Sequence, residues 1–130
     1  MSRTVPSKAN AAALLTLTAA NAAAAPTSSD IDVSNYGGLN LYVNISAITG
    51  TTPTLTVTVQ GKDDISGTYY TILASAALNA TGLTVLKVYP GLTAAANTVA
   101  NDVLPKTIRI LTAIGGTTPA VTATISPVFI

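Results

Sequence analysis

The only acids in this sequence are five aspartates, Asp30, Asp32, Asp63, Asp64 and Asp102; it has no Glu, no His and no Cys. Those absences remove the Ser-His and Cys-His nucleophile pairs, most zinc, haem and copper sites, and the side chain that most often moves protons near neutral pH. What is left is calcium-type chemistry, in which a hard cation gathers clustered oxygens. "KDDISGT", Lys62 to Thr68, is the place to look for it. Adjacent aspartates on an extended chain point to opposite sides, however, and no spaced Asp or bidentate Glu completes a shell. Asp63 and Asp64 therefore read as a solvated hairpin turn, and Asp30 and Asp32 as acceptors of turn hydrogen bonds. No catalytic residue, cofactor site or metal site is expected, and the chain does not read as an enzyme.

Two other residue sets invite a binding role. Tyr36, Tyr42, Tyr69, Tyr70 and Tyr89 are candidates for a sugar-stacking platform. With no Trp and few acids or amides to converge on a sugar, they read instead as sheet-edge residues or anchors in a subunit interface, where Tyr is enriched. The rows Thr54, Thr56, Thr58 and Thr122, Thr124 suggest an ice-binding face, but plain cross-strand Thr pairing explains them.

The formal charge excludes more. Six Lys or Arg against five Asp leave a net charge of +1, spread along the chain. No basic patch exists to release counterions from a phosphate backbone, so nucleic acid is not an expected partner. Charged residues are 8% of the chain, and low charge favours association over mutual repulsion. The absence of about eighteen uninterrupted apolar residues argues against a membrane span. "MSRTVPSKANAAALLTLTAANAAAAP" has the outline of a secretory signal, but Thr16, Thr18 and Asn21 interrupt its apolar run and Pro26 follows its cleavage-like alanines.

The elements that must carry these residues are strands. Residues 1–12 read as an extended N-terminal arm, and 13–130 as a single domain large enough to hide about two-thirds of its unfolded surface. In "LNLYVNISAI", Leu39 to Ile48, apolar residues alternate with Asn, Tyr and Ser at period two. Thr54–Gln60 repeats the pattern. Further strands are expected at Ala13–Ala19, Ile31–Val33, Thr68–Leu73, Leu83–Tyr89, 108–112 and 121–125, eight in all. Only Thr93–Pro105 is a long connection, of the kind that is functional or ordered by a neighbour. "AITGTTPTLTVTV" (47–59) and "AIGGTTPAVTATI" (113–125) agree at eight of thirteen positions. Gly50 and Gly116 suit tight connections, and Pro53 and Pro119 suit strand starts, so each copy reads as a hairpin. Two matching hairpins then occupy equivalent places in an all-β, antiparallel, jelly-roll-like β-sandwich.

The succession "DIDVSNYGGLNLYVNISAITGTTPTLTVTVQGKDDISGTYYTI", "TGLTVLKVYPGL" and "KTIRILTAIGGTTPAVTATI" resembles small β-sandwich virion proteins of tailed bacteriophages. Asp32, Tyr36, Gly50, Pro53, Asp64, Gly82, Arg109, Gly116 and Pro119 carry the resemblance, which spans about residues 30–126. It implies a capsid decoration or minor capsid protein on the exterior of the virion, with the major capsid protein as partner and a homo-oligomeric, often trimeric, state. The alternatives it leaves are a tail or head-fibre component. From the residues alone, a secreted carbohydrate-binding or adhesive module is the rival.

Overall fold

The computed structural model describes residues 14–130, so the expected arm over 1–12 lies outside the described residues. The described residues are all-β apart from one 3-10 turn, Ala22–Ala24, capped by the Asn21 side chain. Seven strands, β1 (Leu15–Ala20), β2 (Ile31–Asp32), β3 (Leu39–Asp63), β4 (Thr68–Ala74), β5 (Gly82–Val88), β6 (Val99–Ala100) and β7 (Thr107–Phe129), form one sheet. Its path is β1-β7-β3-β5-β6, with β2 also on β7 and β4 also on β3. All pairs are antiparallel except β5 with β6.

The expected hairpins are not hairpins. Each repeat lies inside one long strand, β3 or β7, and the two strands pair with each other from Leu39↔Phe129 to Gly61↔Ile108. The repeats meet at their centres, where Thr51 pairs with Thr117, its own counterpart 66 residues on. There the ladder is irregular because Pro53 and Pro119 have no N–H to donate. Gly50 and Gly116 take φ of +121° and +107°, and Thr52 and Thr118 both take +48°. A methyl group on Gly50 would lie 2.8 Å from the Thr118 carbonyl oxygen, and one on Gly116 would lie 2.6 Å from that of Thr52. Bare backbone on each strand is thus the seat of the other.

At this crossing both strands fold back. A straight strand of the length of β7 would run about 75 Å. Yet Asp32 pairs with Thr107 at its start while Tyr36 stacks on Phe129 at its end, ring centroids 5.4 Å apart. The four-residue step from 32 to 36 reaches at most about 14 Å. The sheet, open at its edges, therefore folds back over its own apolar face. Leu41, Val43 and Ile45 from one arm of β3 share a single core with Leu55, Val57 and Val59 from the other. Phe129, the sole Phe, is fully buried in it.

The halves are also interlocked. From the first half, β1 and β2 pair with β7. From the second, β4 and β5 pair with β3, and residues 75–78 continue along it through Ser75 N–H to the Val57 carbonyl and the Leu55↔Leu78 bridge. Each half lays short strands on the long strand of the other, β6 alone pairing within its own half. The expected long connection, Thr93–Pro105, is held by β6 against β5, by Gly91 N–H on Asn101 Oδ1 at 2.8 Å, and by buried Leu104.

Candidate functional site

Polar side chains gather at one place on the outer face of the sheet. Gln60 and Lys62 alternate onto the same side of β3, and their cross-strand partners are Arg109 of β7 and Tyr69 of β4. Arg109 Nε donates to Gln60 Oε1 at 2.7 Å, and its guanidinium lies 3.5 Å from the Tyr69 ring centre. Lys62 Nζ donates to Asp30 Oδ2 at 2.8 Å, and the Tyr69 hydroxyl donates to Asp30 Oδ1 at 2.6 Å. Lys62 and Tyr69 together hold the Asp30 carboxyl below its usual range, Lys62 contributing most, while Asp30 raises the Lys62 ammonium. Both oxygens of Asp30 are taken up, one by Lys62 and one by the Tyr69 phenol. The arrangement is a clasp joining the β1–β2 connection, β3, β4 and β7. Charge-assisted hydrogen bonds and stacked Arg suit that structural task.

Asp63 builds the turn the sequence suggested. Its Oδ1 accepts from Ile65 N–H at 3.0 Å, its Oδ2 from the Ser66 hydroxyl at 2.8 Å, and its carbonyl from Gly67 N–H at 2.7 Å. The Ser66 hydroxyl, then the Ile65 amide, lower the Asp63 carboxyl. Asp64 accepts from the Thr107 hydroxyl at 3.3 Å, and Asp32 accepts from Ser34 N–H at 2.9 Å, which lowers the Asp32 carboxyl. Among the described residues no three acids gather to hold a metal. The turn leaves Ile65 at its tip, 97% exposed. An apolar residue among Asp, Ser and Gly was the sequence signal for it, and acid-centred reasoning passed over it.

The tyrosines do not converge. Tyr69 lies under Arg109, Tyr36 stacks on Phe129, and Tyr70 covers Gly61 beside Pro105. Tyr89 rests on Gly38, where a methyl group would come 2.1 Å from its ring. Tyr42 stands alone on β3, between Ser126 and Val85 of the adjacent strands.

Two surfaces remain. On the outer face, Thr16, Thr124, Asn44 and Leu83 form one exposed row across β1, β7, β3 and β5. The next row is Ser126, Tyr42 and Val85, and Lys87 is the sole charge among the paired segments 15–17, 123–129, 39–45 and 82–88. Leu83 is 61% exposed. Beside this face a cleft of about 370 Å³ is lined by Asn40, Lys87, Tyr89, Leu92 and Ile130. Among the described residues, no helix is long and apolar enough to cross a membrane. No family model, curated protein or solved structure matches this chain.

Proposed function

We propose that this chain is a non-enzymatic structural virion protein that decorates or cements a tailed-phage capsid from the outside, binding the major capsid protein and further copies of itself. The observation that carries this reading is the nearly uncharged outer face of the paired segments 15–17, 123–129, 39–45 and 82–88, with Leu83 exposed at its edge. The phage-like sequence pattern supplies the address, and an all-β sheet folded over one core supports reading the chain as a jelly-roll-like sandwich. Such a face, laid across two shell subunits, resists their separation because parting them re-exposes buried area, at about 25 cal/mol per Å² before association costs. A scaffold already fixed by the clasp and the strand crossing loses little conformational freedom on docking. Dispersal of the tyrosines favours this over a carbohydrate-binding module.

The test is co-sedimentation of the purified chain with shells of the phage's major capsid protein. The wild-type chain pellets with the shells. Leu83→Asp, an exposed change expected to leave folding stability within about 0.5 kcal/mol, weakens binding about tenfold or more. Absence of wild-type binding contradicts the proposal, and equal binding by the variant moves the contact off this face.

A further inference from the structure

We propose that the Ile65 turn of one copy seats in the Lys87–Tyr89 cleft of a second copy, so that the chain assembles head to tail. This rests on the reading of the protein as self-associating, and it names the surfaces. Ile65 is almost wholly exposed on a turn whose backbone Asp63 already fixes through three hydrogen bonds, so little ordering cost remains for docking. Two carboxylates, Asp63 and Asp64, immediately precede it. Of the nearby cations, Lys62 is engaged with Asp30 and Arg109 with Gln60 and Tyr69, while exposed Lys106 adjoins the Thr107 that donates to Asp64. The tip is therefore an apolar knob above two carboxylates and one lysine, negative on balance.

The cleft has the opposite character. Tyr89, Leu92 and Ile130 give it apolar lining, and Tyr89 is seated on the Gly38 backbone. Lys87 is exposed at its edge and has no carboxylate partner among the described residues. No acidic side chain lines the cleft. An isoleucine next to two acids, and a lysine-edged apolar cleft, are complementary in charge and in hydrophobicity. Knob and cleft are different surfaces of one chain, so each contact leaves one of each free, and the assembly grows as a ring or a filament.

Sedimentation equilibrium on the full chain, 13.0 kDa, tests this. The wild-type protein runs as a multimer, and Ile65→Ser and Lys87→Glu each weaken association about 10- to 100-fold. Both positions are exposed, and unchanged thermal unfolding of each variant establishes that its fold is intact. Mixed together, the two variants retain one sound knob and one sound cleft between them. They form a dimer of about 26 kDa, twice 13.0 kDa, and nothing larger. A wild-type monomer up to millimolar concentration, variants that assemble as the wild type does, or a mixture that stays monomeric overturns the proposal. Shell binding by the same variants is measured separately. A wild-type chain that binds shells but stays monomeric removes the knob-and-cleft contact and leaves the shell role standing.

Discussion

Gly50 and Gly116 sit where two strands touch backbone to backbone, and they fix the behaviour of the residues around them. Each has a positive φ that a side chain disfavours, and each would drive a methyl group to within 3 Å of the opposing Thr carbonyl oxygen. Thr52 and Thr118 carry φ of +48°, a β-branched residue in a region it rarely visits. Their strain, of order 1–3 kcal/mol each, persists because the crossing is determined from both sides. Gly116→Ala is therefore expected to lower the stability by about 2 kcal/mol or more, read as a shift of the urea unfolding midpoint. Gly67→Ala, at a positive φ but with open space around it, is expected to cost less. Equal losses at the two sites would mean that φ alone, and not the close approach, sets the penalty.

Between elements, the clasp of Asp30, Lys62, Tyr69, Gln60 and Arg109 ties four segments and makes stability depend on pH at both ends of the scale. The Asp30, Asp32 and Asp63 carboxyls are lowered from an ordinary value of 3.8. Their contribution is present above that value and is lost as pH falls through the depressed folded-state values. Lys62 is raised from 10.5, so its contribution is present below 10.5 and is lost as pH rises through its folded value. Stability is expected to be level between those limits and to fall below about pH 4, and Asp30→Asn should flatten the acid limb when urea midpoints are compared from pH 2 to 7. An acid limb unchanged in that variant would remove Asp30 from the account. The sequence made the strands legible and left their partners obscure. Alternation at 39–48 and 54–60 assigns each side chain to a face, but says nothing of which strand lies alongside. Gly, Pro and a left-handed Thr mark a hairpin turn and a fold within one strand by the same residues, which is why 47–59 and 113–125 read as hairpins. Eight expected strands became seven through two fusions and the gain of β6, whose two residues are too few for any period to show. The turn acids were legible because Asp63 acts on residues two and three positions away. The clasp was not, since Asp30 and Arg109 are joined only by the fold.

At the scale of the whole molecule, two similar halves lend their short strands to each other around a paired repeat, and their apolar side chains share one core. The molecule's charges are largely engaged in the clasp and in turns, while an almost uncharged face and a projecting isoleucine remain exposed. That combination suits a protein whose work is adhesion between subunits. The most direct measurement is the temperature at which otherwise identical phage particles, with and without this protein, release their DNA. The shell-cementing role predicts release at a lower temperature when the protein is missing and recovery when purified protein is added back; release at the same temperature in both would contradict it.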